Sequence, residues 1–488
     1  MKIVLVNLPW HFGLGRYRFI AKRFIPQIPL ALCYIASALR RAGHSVYIVD
    51  AAIEDYSIKE TAEKIYKLEP HLVAIGSTTF THFLAEELAQ VLKKISPLLW
   101  IVIGGHHISA LREEVLRCSP YFDVGIYGEG EITLCKVAER LESGCDLSGV
   151  EGAIFKNKGK VYKNSARPLV PSLENFTFPA RDLLLTNKYF RYKNGKKTLI
   201  TGFIVSRGCP FDCIFCGCHN VYGKSVRYRC AKAVVDEIEE CVMTYGIREF
   251  MSYDDNFTLN RELVMNICDE IIKRKLKINL IAGTRVDCID REMLRSLKEA
   301  GLRELGFGVE SGNQSILDKI NKNITLGQIR EAFQLAKSFG LVTAATAMIG
   351  HPFENRKTAL DTIDFLSSIN ELDVAMLSIA TPLPGTRLFK MAKDGEGGLQ
   401  LCPPRQGQFY NRYGGSMISV NDLSPEDLVK LQRFGLLKFY LNFKRILTQY
   451  RLLGFKSFLL TGCSFLRTFF SLPQTRILNR KKNLRLTN

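Results

Sequence analysis

The first 145 residues alternate continuous apolar runs with stretches of helical period. The runs "KIVLVN" (2–7), "SVYIVD" (45–50), "LVAIGS" (72–77), "LWIVIGG" (99–105) and "FDVGIYG" (122–128) end in small or polar residues. Between them apolar positions recur three and four apart, as from Leu30 to Ala42 and from Leu84 to Ile95. Strands apolar on both faces, joined by amphipathic crossovers, predict a parallel sheet covered on either side by helices. The fold expected for residues 1–145 is therefore a doubly wound α/β domain of Rossmann or flavodoxin type, with its ligand over the carboxyl ends of the strands.

The loops at those ends are suited to a large ligand. "NLPWHFG" follows the first strand and contains Pro9; "STTFTH" follows the third and contains Thr78. "GGHHIS" brings Gly104, Gly105 and His106 to the end of the fourth, and "YGEGEIT" brings Gly128, Glu129 and Gly130 to the end of the fifth. Glycines let backbone approach a ligand closely, while hydroxyls and main-chain amides hold its polar groups. No GxGxxG follows the first strand, so a dinucleotide site of the usual kind is not expected.

Residues 146–194 lose the alternation and read as a connector, with a polar hairpin-like stretch "AIFKNKGKVYKN" (153–164). From 195 to 420 strand and helix signals return as a second series, which predicts a partial (β/α) barrel. Near its start, "SRGCPFDCIFC" (206–216) spaces Cys209, Cys213 and Cys216 as Cys-x3-Cys-x2-Cys, with Phe215 before the last and Gly217 after it. Further on, "EFMSYDDNFTLN" (249–260) presents Asp254 and Asp255 at a strand end, and "LRELGFGVESGNQSIL" (302–317) presents Glu310. Arg285 and Asp287, in "NLIAGTRVDCID" (279–290), either line the barrel or form a buried ion pair.

Length and composition narrow the chemistry. At 488 residues the chain is too long for one core, and its 47% hydrophobic content is that of a packed globular protein. "MKIVLVNLPW" is followed by no cleavage-site pattern, and no uncharged apolar stretch of about 18 residues occurs, so a cytoplasmic protein without a spanning helix is expected. In a reducing cytosol the fourteen cysteines are not expected to pair, and a cluster of them suggests metal. Three thiolates at this spacing can hold three irons of a [4Fe-4S] cluster and leave the fourth open for chemistry. A structural zinc site wants four closed ligands, which this loop reaches only by recruiting Cys218 or His219.

The cysteine loop resembles that of the radical S-adenosylmethionine (SAM) enzymes. "GGHHIS", "DVGIYGEGEIT" and "IPLALCYIASALRRAGHSVYIVDA" resemble the cobalamin-binding domain that precedes many of them. "TAMIGHPFEN" (346–355) and "SIATPLPGTRLF" (378–389) match later motifs of the same family, so the resemblance covers about residues 1–145 and 195–420. It implies that Cys209, Cys213 and Cys216 bind a [4Fe-4S] cluster, and that Phe215, Gly217, Asp254, Asp255 and Glu310 contact SAM. It further implies that Pro9, Thr78, Gly104, Gly105, His106, Gly128, Glu129 and Gly130 contact cobalamin. The family's Asp-x-His-x-x-Gly motif is absent, so cobalamin is expected without a histidine below the cobalt, and neither His106 nor His107 is assigned as a ligand. Cys218 and Cys230 lie outside the family pattern and read as bystanders.

Enzymes that pair these two domains mostly methylate carbon or phosphorus centres that are not nucleophilic. The resemblance implies methyl transfer to an unactivated carbon, through a 5'-deoxyadenosyl radical and methylcobalamin, in an active site between the domains. An anaerobic cyclase or oxidative enzyme that keeps cobalamin without methyl transfer is the alternative; a non-catalytic cobalamin-binding protein is one of another class. The expected partners are a small-molecule substrate and an electron donor such as flavodoxin or ferredoxin.

The net charge of +19 is unevenly spread. Residues 428–488 contain thirteen Lys and Arg and no Asp or Glu, interleaved with aromatic and aliphatic residues as in "LLKFYLNFKRILTQYRLLGFKSFLL" (436–460). Residues 421–488 are expected to form a basic helical tail, either docked peripherally on an anionic membrane, which points to a lipid substrate, or packed on the enzyme with a solvated face. Cation excess alone is no specific sign of nucleic-acid binding.

Overall fold

The computed structural model describes residues 1–11, 28–174, 176–193, 196–402 and 415–470. The end of the loop after the first strand (12–13) and the end of the basic segment (471–488) lie outside the described residues.

The first sheet has the strand order β2-β1-β3-β4-β5-β6-β7. Its strands β1 (Lys2–Asn7), β2 (Ser45–Asp50), β3 (Leu72–Gly76), β4 (Trp100–Gly104) and β5 (Val124–Ile126) are parallel. Residues Ile3 to Val6 of β1 are wholly buried because helices cover both faces. Helix Leu30–Arg41 turns Cys33, Ala36 and Leu39 inward on one side, and helix His82–Ile95 turns Leu84, Leu88 and Leu92 inward on the other. The order reverses between β1 and β3, which opens the switch-point crevice at the strands' carboxyl ends.

The expected connector is shorter than 146–194. Its hairpin, β6 (Ala153–Asn157) and β7 (Lys160–Lys163), pairs antiparallel with β5 and extends the first sheet, and Ile154 and Phe155 are buried there. The polar, lysine-rich look of this hairpin belongs to an edge strand, where charged side chains discourage further pairing.

The second sheet has the order β16-β15-β14-β13-β12-β9-β8. Strand β8 (Phe190–Lys193) runs antiparallel to β9 (Lys196–Phe203). A two-stranded clasp follows, β10 (Ser206–Arg207) with β11 (Arg227–Tyr228). Then β12 (Glu249–Ser252), β13 (Asn279–Thr284), β14 (Leu302–Glu310), β15 (Val342–Ile349) and β16 (Val374–Ile379) continue parallel to β9, each after a helix, as a half-barrel. A small antiparallel pair, β17 (Leu399–Leu401) with β18 (Ile418–Val420), ends the series.

The open edge of β16 is covered by helix Pro425–Tyr440. Gln432 donates to the carbonyl of Leu377 at 3.0 Å, and the Tyr440 hydroxyl bonds both the amide and the carbonyl of Ala375. Gly435 packs so closely that a Cβ would lie 2.6 Å from Leu377 Cδ2. This helix belongs to the core, so the expected tail begins after it. Its basic residues lie on the outer face, while Leu428, Leu431 and Phe439 are buried.

Candidate functional site

The clasp delivers the cysteine loop. Gly208 takes φ +98°, and a Cβ there would lie 2.4 Å from the Ser225 carbonyl, so only glycine lets the strands cross just before Cys209. Asp254 fixes the strand leading in: one carboxylate oxygen accepts from the amides of Val205 and Ser206 and from the Ser206 hydroxyl, the other from the Ser252 hydroxyl. Between the cysteines, Ile214 donates its amide to the Ile320 carbonyl at 3.2 Å and accepts from the Leu388 amide at 2.9 Å. The loop's shape is thus set by protein groups on three sides.

Cys209, Cys213 and Cys216 are half-buried free thiols. Cys218 lies against two of them: hydrogen bonding to it lowers the Cys209 thiol to about 6 and lowers Cys216, while its own pKa is raised by those same contacts. Burial raises Cys213. Cys218 is therefore buried inside the cysteine loop, and Cys230, by contrast, is exposed and caps helix Ala231–Tyr245. His219 is committed elsewhere, its Nε2 lying 2.9 Å from the Cys209 carbonyl. Among the described residues, no three His, Cys, Asp or Glu side chains surround a common point as a single ion would need. The donor set is three thiols at cluster spacing, two of them, Cys209 and Cys216, lowered toward the thiolate form that binds iron, and it fits the [4Fe-4S] group.

The carboxylates expected to meet SAM divide. Asp254 has spent its oxygens on the strand before the loop, whereas Asp255 is exposed beside Cys218. Glu310 sits at φ +65° at the end of β14, its carboxylate accepting from Lys322 at 3.1 Å and its carbonyl 3.3 Å from His351 Nε2. Gly308 makes room for that pair, since a Cβ would come within 2.8 Å of both partners. Arg285 and Asp287 form an ion pair at 2.9 Å through two bonds, with Arg285 buried and Asp287 exposed, and the guanidinium lies 3.7 Å from the ring centre of Phe211 in the cysteine loop. Arg285 Nη1 and His351 Nδ1 are buried without a partner, as polar atoms beside a ligand site would be. Phe215 rests near His351, with ring centres 6.1 Å apart, and Gly217 has no neighbour closer than 3.8 Å to a Cβ. Lys322, five positions past the 302–317 motif, and His351, inside the 346–355 motif, are not singled out by the sequence, because a lone lysine or histidine carries no periodic signal.

At the first sheet's carboxyl edge, Gly104 and Gly128 have nothing within 4 Å of a Cβ position, Thr78 is exposed and Pro9 is buried. Gly105 takes φ +105°, and a Cβ there would clash with the Ser77 carbonyl at 2.4 Å. Ser77 Oγ and His82 Nδ1 are buried and unpartnered. Open glycine backbone and orphaned polar atoms fit a large ligand with polar edges, as cobalamin is. His107 stacks on His82 at 4.1 Å and lies 3.2 Å from the Thr79 hydroxyl; burial lowers the two rings to about 3 and about 4, so both are neutral.

Glu129 links the two sheets. Its carboxylate takes Arg207 at 2.9 Å and Arg227 at 2.8 Å, which joins the "YGEGEIT" loop to the clasp. Glu131, not singled out from the sequence, takes Arg207 at 2.6 Å. Gly130 packs against Ile35, 3.3 Å from a Cβ position. His106 opens toward the second domain, edge-on to Tyr222 at 6.5 Å and near enough to Asp255 for that carboxylate to oppose the pKa lowering caused by burial. The two strand-end edges therefore face one another across a single seam.

Residues 203–366 match the radical SAM superfamily model, and residues 20–138 match the B12-binding domain model. A Pyrococcus horikoshii protein described as an uncharacterized methyltransferase is 34% identical over 392 residues, 80% of this chain and 83% of its own. The anaerobic magnesium-protoporphyrin IX monomethyl ester cyclase of Rubrivivax gelatinosus is 32% identical over 373 residues, 75% of this chain and 66% of the cyclase. Among solved structures, the radical SAM methyltransferase TsrM of Kitasatospora setae, with cobalamin and a [4Fe-4S] cluster bound, superposes with a TM-score of 0.66 at 19% identity over 82% of this chain and 80% of its own.

Proposed function

The chain belongs to the radical SAM enzymes that carry a cobalamin-binding domain, and from that premise we propose that it methylates an unactivated carbon of a hydrophobic small molecule. The observation that carries this reading is the seam: the loop with Gly105 and His106 opens onto the same space as Asp255 and the three thiols. When bound, the cluster and SAM supply a 5'-deoxyadenosyl radical that removes hydrogen, and cobalamin supplies the methyl group.

The chain's residues hold and shield. Cys209, Cys213 and Cys216 would ligate three irons, leaving the fourth for SAM. Asp255, Glu310, Phe215 and Gly217 would surround SAM, with Asp254 setting the strand beneath it. Pro9, Thr78, Gly104, Gly105, His106 and Gly128 would line the cobalamin face, with Glu129 and Gly130 fixing their loop. Closing the seam keeps water away from reactive species. A flavodoxin- or ferredoxin-type donor would supply the electron, and the chain would meet membranes peripherally through its C-terminal helices.

Ring formation or oxidation without methyl transfer is the second reading, supported by the likeness to a cyclase. The test is anaerobic incubation of the cobalamin-loaded protein with cell extract and methyl-labelled SAM, followed by mass spectrometry. A product heavier by one labelled methylene unit supports methylation, one lighter by hydrogen supports cyclisation, and 5'-deoxyadenosine without a changed metabolite counts against both.

A further inference from the structure

After the edge-covering helix Pro425–Tyr440 come two more helices, Phe443–Leu453 and Phe455–Phe470, and their attachment is specific. Arg445 is buried, donates to the Ile369 carbonyl at 2.5 Å and lies over the Phe439 ring. Tyr450 meets Phe458 edge-on at 5.8 Å, and Phe465 meets Tyr440 at 6.1 Å. One face of the pair is thus fixed to the half-barrel.

The other face is apolar and open. Phe443 is 82% exposed, and Leu447 and Tyr450 follow it at the spacing of one helical stripe. On the next helix Phe455 is 65% exposed and Leu459 follows it one turn later; the Tyr450–Phe458 contact joins the stripes. Lys444 and Arg451 are exposed on the first helix, in a region of the chain, 428–488, that has thirteen cations and no carboxylate. No helix among the described residues is long and apolar enough to cross a membrane. Aromatic and aliphatic tips flanked by cations, without a single acid, match an anionic lipid surface, where apolar groups enter the acyl boundary and cations meet headgroups. A second copy of this chain would bring like charge against like.

We propose that the outer face of helices Phe443–Leu453 and Phe455–Phe470 docks on an anionic membrane surface, holding the enzyme beside a lipid-dissolved substrate. This deepens the reading of peripheral contact given above, and its test does not depend on methyl transfer. The full-length, cluster-loaded protein is sedimented with phosphatidylcholine vesicles with and without phosphatidylglycerol, at rising salt. Binding is expected only with phosphatidylglycerol, and it should fade as salt screens the charge. Lys444→Gln and Arg451→Gln should each weaken binding about fivefold. Phe443→Asp and Phe455→Asp should abolish it while cluster absorbance and melting temperature are retained; Leu98→Asp, on an exposed loop residue of the first domain, should change nothing. Binding that ignores phosphatidylglycerol, that persists in both Phe variants, or that is absent at low salt overturns the proposal. So does a dimer in solution that Phe443→Asp converts to monomer, since the face would then belong to a second copy.

Discussion

Arg207 Nη2 donates to Glu131 Oε1 at 2.6 Å, joining the clasp that starts the cysteine loop to the helix that follows the fifth strand of the first sheet. Arg207 lies two residues before Cys209, is 6% exposed, and shares its second nitrogen with Glu129. Its guanidinium also lies near the rings of Tyr34, Phe176 and Tyr222. A buried charge held this way is costly to leave unpaired. Arg207→Ala is therefore expected to destabilise the protein by about 3–5 kcal/mol in denaturant titration. Glu131→Gln keeps the shape and the Glu129 contact, so it should fold and bind the cluster. Its effect should appear as uncoupling: 5'-deoxyadenosine is still formed, while product falls as much as about 100-fold, the scale of a 1 Å misplacement. Unchanged coupling in Glu131→Gln would make the pair purely structural.

Replacing Cys209, Cys213 or Cys216 with Ala is expected to remove the cluster's visible absorbance and all SAM cleavage. Cys218→Ala is expected to keep both, although Cys218 lies within hydrogen-bonding reach of two of the ligand thiols. Three thiolates suffice to hold a cluster with one open iron. Loss of absorbance in the Cys218 variant equal to that in the others would mean four protein ligands and no open iron.

His106→Ala and His107→Ala should leave the coordination state of bound cobalamin unchanged in its absorption spectrum. His107 is occupied by Thr79 and by stacking on His82, so its loss should lower the melting temperature of the first domain. His106 is at the seam and its loss should weaken SAM-dependent turnover. A nitrogen-ligated spectrum that either variant abolishes would place a histidine on the cobalt.

Glu354 gives a pH dependence with a definite sign. It is wholly buried, one oxygen takes the amides of Gly350 and His351, the other has no partner, and burial raises its pKa to about 8. Its folded pKa lies above the unfolded value of about 4.5, so its contribution is complete below about pH 4.5 and declines as pH rises through about 8. The full change amounts to about 5 kcal/mol. Glu354→Gln should flatten the fall in melting temperature between those pH values. An equally steep profile in the variant would assign the slope to another group.

A chain ending near Val420 is expected to unfold, because it loses Gln432 and Tyr440, which satisfy the edge of β16. A chain ending at Leu441 should keep its cluster and its circular dichroism while losing affinity for phosphatidylglycerol vesicles. If the shorter chain melts like the full one, helix Pro425–Tyr440 is not part of the core.

The sequence by itself determined the two-part plan and its chemistry. Continuous apolar runs such as Ile3–Val6 need burial on both faces, and only a parallel sheet between helices supplies it. The spacing of Cys209, Cys213 and Cys216 named the cluster because ligands on one short loop are a local property. What depended on distant segments meeting was decided only by the tertiary structure. The resemblance implies Glu129 as a cofactor contact, but its ion-pair partners Arg207 and Arg227 lie 78 and 98 residues away. Asp254 and Asp255 are adjacent and alike in sequence, yet the backbone of residues 205–206 consumes one and leaves the other at the seam. Composition after residue 428 is uniformly basic and apolar, but burial separates a helix that closes a sheet edge from two whose outer face stays open. Local pattern fixes what a segment can do, and long-range packing chooses which of its side chains are left to do it.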